Sequence, residues 1–217
     1  RGFTQGIPNK VKRIMPIELS VGGERMRVAR WPNPGDSYAQ WLPPFQKERP
    51  GVVGRPLNAV LDAGPRAGVV NTLNPPSPDY FDRGGIFRYE FDRPTLWKEA
   101  DDVWLDGVLS WSWAWTYNKV ARFDTEEKTI TMRYADPYGI MDTYSHNFFF
   151  FENLLEEIDQ PGVYWIDRKS GMLYYYPVAA FFQPEVEIII SQLETPFFTV
   201  TGARHVTFRD FTMESSR

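Results

Sequence analysis

The stretch from Phe151 to Pro177, FENLLEEIDQPGVYWIDRKSGMLYYYP, constrains the fold of this chain more than any other, because several independent local signals agree within it. Phe151, Leu154, Leu155 and Ile158 fall at i, i+3, i+4 and i+7, which predicts a short amphipathic helix with Glu152, Glu156 and Glu157 on its solvent side. Pro161 and Gly162 stop that helix, since proline lacks the amide proton and glycine accepts the backbone angles of a helix exit. A hairpin follows. The runs 163–167 and 172–176 are rich in aromatic and β-branched residues, and 168–171 supplies a polar turn ending in glycine.

The rest of the chain reads as many short strands. Hydrophobic residues make up 42% of the 217 positions, so a folded core is expected, and a chain of this length buries roughly 70% of its unfolded surface. With 18 prolines, 16 glycines and no long periodic helix, the expected class is mostly β, an antiparallel β-sandwich or barrel with one short helix. Ile17, Leu19 and Val21 alternate with polar residues, Gly22 and Gly23 make a turn, and Met26 and Val28 alternate on the return, which is a second hairpin. From Pro34 to Pro78 proline and glycine recur without period and predict long loops. Phe87, Tyr89 and Phe91 share one strand face, 96–101 has room for a helical turn, and Ile130, Met132 and Tyr134 mark another half-buried strand after a turn at 125–129. Val186 to Ile190 and Phe197 to Val200 read as buried strands. Val206, Phe208, Phe211 and Met213 then give two short strands meeting at a corner, the pattern of one rung of a parallel β-helix.

Several phrases can be set beside a known module. Asn153, Leu154, Glu156 or Glu157, Ile158, Asp159, Pro161, Gly162, Tyr164, Trp165 and Asp167 follow N-L-x-E-x-L-D-x-P-G-E-W-Y-x-D, and Gly171, Leu173, Tyr174, Tyr175 and Pro177 follow G-x-L-Y-Y-x-P. Ala29 to Asn33 matches the end of V-N-G-K-x-x-x-L-A-R-W-P-N, and Asp102 to Gly107 matches D-D-V-W-L-x-G. On these residues the chain resembles right-handed parallel β-helix proteins of bacterial carbohydrate metabolism, glycoside hydrolase family 141-like, in which a β-sandwich or barrel domain interrupts the helix near its start. Val163 stands where the pattern has an acid, so no role of that acid carries over. The resemblance implies a lead-in over 1–15, an inserted β-sandwich domain over 16–190 and the start of a parallel β-helix over 191–217, with the remainder of that β-helix in the same polypeptide as partner. It implies a secreted or periplasmic setting. It also implies that the catalytic carboxylates lie on later turns, so that this segment is a non-catalytic accessory domain of a polysaccharide-degrading enzyme, covering the helix end and shaping the substrate cleft. A free-standing carbohydrate-binding module is the alternative, and a catalytic domain in its own right is a weaker third.

Composition excludes other classes. A net charge of −4 with no basic run beyond Lys10, Lys12 and Arg13 gives no footprint for nucleic acid. No window approaches the roughly 18 apolar residues of a membrane span, and the start at Arg1 has neither a methionine nor a signal-like pattern, which fits an internal piece or a processed product. Without cysteine there is no thiol catalysis or thiolate metal site. His146 and His205 are the two histidines and lack metal-ligand spacing, Ser215 and Ser216 lack a nucleophile elbow, and Gly22-Gly23 and Gly84-Gly85 precede strands rather than helices. No metal and no cofactor is expected.

Glycosidic chemistry needs two carboxyls roughly 5 to 9.5 Å apart. Asp101, Asp102, Asp106, Asp136, Asp142, Asp159, Asp167, Asp210 and Glu214 are available, but acids are common at turns and strand ends where they cap amides, and nothing marks a pair. No catalytic residue is assigned. Trp111, Trp113, Trp115 and Tyr117 stand at period two opposite Ser110, Ser112, Ala114 and Thr116. That alternation fits a strand whose indoles form a core between sheets; the competing reading is a platform for the apolar faces of sugar rings. Solvent exposure of two of the three tryptophans would decide for the platform.

Overall fold

The computed structural model describes residues 17–36, 51–54, 59–66, 82–98, 100–142, 147–191 and 197–213. Among them run fourteen strands: β1 (Glu18–Val21), β2 (Glu24–Arg25), β3 (Arg27–Val28), β4 (Arg30–Trp31), β5 (Val53–Gly54), β6 (Val60–Asp62), β7 (Ile86–Arg88), β8 (Trp104–Val108), β9 (Trp115–Asp124), β10 (Thr129–Met132), β11 (Phe148–Glu152), β12 (Val163–Asp167), β13 (Met172–Tyr175) and β14 (Ile188–Ser191). The chain is mostly β, and its sheets are antiparallel apart from the β3–β12 pairing; among the described residues none closes into a barrel, as in a β-sandwich. Two compact units divide it, one over 1–13 and 29–158 and one over 14–28 and 159–217.

In the first unit one sheet runs β4-β11-β8-β9-β10-β7-β6, with β5 also on β11. Its core follows from strand alternation. Trp31, Leu105, Phe149, Phe151, Phe87 and Ile130 all point inward and are buried together, and the edge of Phe87 meets Phe149 with ring centres 5.6 Å apart. The β11 sequence, four phenylalanines in a row, does not alternate because both of its faces are covered: Phe149 and Phe151 enter this core, while Phe148 and Phe150 join Val52 and Val108 on the other side. Beside β11, Gly107 of β8 has no room for a side chain. A Cβ there would meet the Phe148 carbonyl oxygen and lie 2.5 Å from Phe149 Cα.

The helix expected over Phe151 to Ile158 is reduced to one 3-10 turn, Leu155–Glu157. Phe151 belongs to β11, and Asn153 with φ of 66° breaks the chain away from the strand direction, so the four apolar residues never share a helix face. Glu157 was expected in solvent and is instead fully buried at 0% exposure. The cause lies far away in sequence: Arg93, in the 3-10 turn Arg93–Leu96, donates from Nε to Oε1 at 2.8 Å and from Nη2 to Oε2 at 2.7 Å, and the Trp97 indole N–H donates to Oε1 at 2.6 Å. That turn lies slightly before the one expected at 96–101.

In the second unit β14-β1-β2 and β13-β12-β3 form two small sheets around Leu19, Val21, Met26 and Tyr164. Both predicted hairpins form. Gly22 and Gly23 turn at φ of 59° and 79°, and Gly171 closes the β12–β13 turn at φ of 74° while Asp167 accepts from the Lys169 amide at 2.9 Å. The expectation of a buried strand over Val186 to Ile190 needs correction. Ile188 and Ile190 pair with the buried Val21 and Leu19, but at the sheet edge they remain 58% and 41% exposed. Residues 197–213 contain no strand and are exposed throughout, with Phe198 touching the rings of Phe208 and Phe211 at 5.0 and 5.2 Å.

Replacing Glu157 by Ala leaves Arg93 and the Trp97 N–H without their buried acceptor. Loss of about 3–5 kcal/mol is expected in urea unfolding, against about 1 kcal/mol or less for Glu156→Ala, a half-buried residue whose carboxylate holds the Lys98 amide and no buried charge.

Candidate functional site

The face of the β8–β9 hairpin opposite the main core gathers aromatic and charged groups around a second buried cluster. Register fixes them: Trp104 lies opposite Lys119, Asp106 opposite Tyr117 and Val108 opposite Trp115, while on the other flank Glu152, Phe150 and Phe148 of β11 face Trp104, Asp106 and Val108. Because side chains alternate along a strand, this set points away from Leu105, Phe149 and Phe151. Trp104 and Tyr117 stack at 4.9 Å with an interplanar angle of 8°. Lys119 reaches Asp102 at 2.8 Å, and Asp102 also accepts from the Trp104 N–H at 3.3 Å and from Asn153 Nδ2 at 3.2 Å.

The structure separates the three tryptophans singled out by sequence. They do not lie on one strand, because β9 begins only at Trp115, and the preceding residues make the β8–β9 turn, in which the Ala114 amide donates to the Trp111 carbonyl at 2.8 Å. A hairpin between two long strands needs that turn, and the period-two alternation is overridden there. Trp113 is 67% exposed and Trp115 40% exposed, while Trp111 is half-buried. Two of the three therefore face solvent, and the core reading of the stripe does not hold. Trp111 and Trp113 stack at 6.4 Å and 15°, and Trp113 meets the edge of Tyr138 at 5.0 Å. Trp115 rests edge-on against Phe148 at 5.4 Å, and its indole N–H donates to Asp106 Oδ1.

Asp106 is electrostatically distinct from the other acids. Burial pushes its carboxyl above the ordinary value of 3.8, and the Trp115 hydrogen bond and the positive charge of Arg30 offset this in part. Several other carboxylates do structural work. Asp136 accepts from the Thr116 hydroxyl and from the Tyr138 amide at 3.2 Å, Asp142 caps the Ala59 and Val60 amides at 3.1 Å each, and Asp167 holds a turn, where hydrogen bonds from Ser170 and Lys169 keep it below its ordinary value. Asp101, Asp159 and Asp210 are exposed. His205 sits exposed in the left-handed region at φ of 58°, as does Asp210 at 62°. His146, Glu214, Ser215 and Ser216 lie outside the described residues. Among the described residues no three acidic or histidine side chains converge as metal ligands.

Sequence reasoning did not find Tyr138 or the support given by Phe148. The run of four phenylalanines was a visible signal for a strand covered on both sides, but nothing local ties it to Trp115.

No family model matches this chain, and no curated protein matches it. A solved structure described as a glycoside hydrolase is similar to it, with a TM-score of 0.46 and 16% identity over 80% of this chain. The chain spans 26% of that protein's length.

Because the folded state raises Asp106, it binds that proton more tightly than the unfolded chain does. The carboxyl contributes stability that is fully present below about pH 3.8 and is lost as pH rises through its folded pKa. Tryptophan fluorescence is expected to change with that titration above the ordinary carboxylate range, and Asp106→Asn, which keeps an oxygen acceptor for the Trp115 N–H, should remove this step.

Proposed function

We propose that this chain is a non-catalytic, carbohydrate-contacting accessory domain of a secreted or periplasmic polysaccharide-degrading protein, inserted into a parallel β-helix glycoside hydrolase and shaping its substrate surface. The observation that carries the reading is the exposure of Trp113 and Trp115 on the β8–β9 hairpin. Indole rings held out into water are poor contributors to a core and good platforms for the apolar faces of sugar rings, because a pyranose ring covers apolar area without requiring a flexible partner. Trp111, Trp113 and Tyr138 supply such platforms next to one another, and Trp115 supplies a further one in T-shaped contact with Phe148.

The accessory part rests on different residues. The module phrases at 29–33, 102–107 and 153–177 resemble those of β-helix carbohydrate enzymes. Exposed Phe198, Val206, Phe208, Phe211 and Met213 form an apolar stretch that suits the inner side of a stacked rung, whose stability comes from neighbouring turns. The proposed partner is therefore the rest of a parallel β-helix. The non-catalytic part rests on the acids, of which Asp102, Asp136, Asp142 and Asp167 are spent on ion pairs, amide caps and turns. A free-standing sugar-binding module is favoured instead if the tryptophan surface alone binds glycan tightly.

The test is titration of the chain with neutral oligosaccharides followed by tryptophan fluorescence. Quenching is expected, weakened at least about ten-fold by Trp113→Ala and by Trp115→Ala. Absence of quenching with every glycan overturns the carbohydrate surface, and hydrolysis by the chain alone, lost on changing one carboxylate, overturns the non-catalytic reading.

A further inference from the structure

Asp106 sits mid-strand in β8 between Phe150 of β11 and Tyr117 of β9. Among the described residues its carboxylate accepts one hydrogen bond, on Oδ1 from the Trp115 indole N–H. No described residue donates to Oδ2, and Asp106 as a whole is half-buried rather than sealed in the core. An ionised carboxylate has room for about four hydrogen bonds and can only accept. Its neighbours do not neutralise it by contact: Arg30 donates to the backbone oxygens of Pro32 and Gly51 and lies 3.5 Å above the Phe150 ring. Lys119, the nearest cation along β9, is held by Asp102.

The same hydrogen bond that holds one oxygen also fixes the indole. Trp115 is held at its N–H by Asp106 and on its ring by a T-shaped contact with Phe148, yet keeps 40% of its surface in solvent. An apolar ring face and an acceptor-only oxygen are thus presented together, at a separation set by one side-chain hydrogen bond. Ring hydroxyls are donors, so they suit Oδ2; a ligand carboxylate or sulfate brings negative charge toward negative charge at a half-buried site that water and salt still reach.

We propose that Asp106 and Trp115 form one sugar-reading unit, in which the Trp115 ring takes the apolar face of a pyranose and Asp106 Oδ2 accepts from its hydroxyls, selecting neutral glycans over uronic-acid glycans. The inference rests on the carbohydrate-surface reading above and names its substrate class and its specificity-determining residue. In Asp106→Asn the amide oxygen takes over the Trp115 N–H and the amide nitrogen, a donor, replaces the acceptor. Preference is expected to invert while the platform stays in place.

The experiment titrates the full chain and Asp106→Asn with cellohexaose, xylohexaose, mannohexaose and an oligogalacturonate, read by tryptophan quenching. The wild type should bind at least one neutral hexamer about ten-fold or more tighter than the uronate, and the variant should lose about ten-fold on the neutral ligand and gain on the uronate. A second measurement needs no variant: salt near 1 M should narrow the wild-type gap, since screening acts on the repulsion alone. Equal binding of neutral and acidic ligands, or a selectivity ratio unchanged by both the substitution and salt, overturns the sugar-reading unit and leaves the carbohydrate surface standing. Quenching by none of the four ligands overturns both.

Discussion

Strand β11 is the constraint on which the first unit depends, because both of its faces are occupied by buried aromatic rings. Phe149 and Phe151 meet Trp31, Phe87 and Trp97 on the inner side, and Phe151 alone contacts Trp31, Phe91, Trp97, Phe123 and Phe149. Phe148 and Phe150 cover the outer side, where they touch Trp115 and Arg30. Each ring removes roughly 150–250 Å² of apolar surface from water, so this strand is a large share of what holds the sheet. Close approach to β8 is possible only because Gly107 carries no side chain. The outer surface is thus tied to the core: Trp115 packs on Phe148, an alternate residue of the strand that organises the interior, and bonds Asp106 of the neighbouring β8.

Against that background the hairpin turn stands out as a place where burial was forgone. Fully burying an indole of about 200 Å² is worth roughly 5 kcal/mol at 25 cal/mol per Å², so leaving two-thirds of Trp113 in water forgoes about 3 kcal/mol. A stack on Trp111 and an edge contact with Tyr138 recover only part of this. Serine or glycine would make the same turn at no such loss. Exposed tryptophan at a turn therefore calls for an explanation outside folding, and a ligand that covers the rings supplies one.

Where sequence reading succeeded, the signals were local. Both hairpins of the second unit follow from alternating strands on either side of a turn whose glycines adopt positive φ, which needs no knowledge of distant residues. Where it failed, the deciding partner was distant or the period was ambiguous. Phe151, Leu154, Leu155 and Ile158 satisfy a helical spacing, but a phenylalanine run buried on both faces also satisfies a strand, and the sheet partners of β11 chose the latter. Glu157 is polar by type, and only Arg93, 64 residues earlier, makes its burial possible. The tryptophan alternation was real but mostly fell on a turn. Asp136, Asp142 and Asp167 serve amides and turns as expected, whereas Asp106 is distinguished by a diagonal cross-strand contact that no spacing rule reveals.

That exception bears on how a surface can be both rigid and selective. A carboxylate mid-strand between Phe150 and Tyr117 is disfavoured by desolvation, and an amide or hydroxyl would hold the Trp115 N–H with less cost to the fold. Positioning the indole is therefore not enough to account for an acid there. What an aspartate supplies and its neutral replacements do not is a second oxygen with fixed charge beside an exposed ring. If the surface is built to take sugars, that charge is the part of the design that distinguishes between them, and the desolvation it suffers in the free protein is the same property that strengthens its hydrogen bonds once a ligand excludes water.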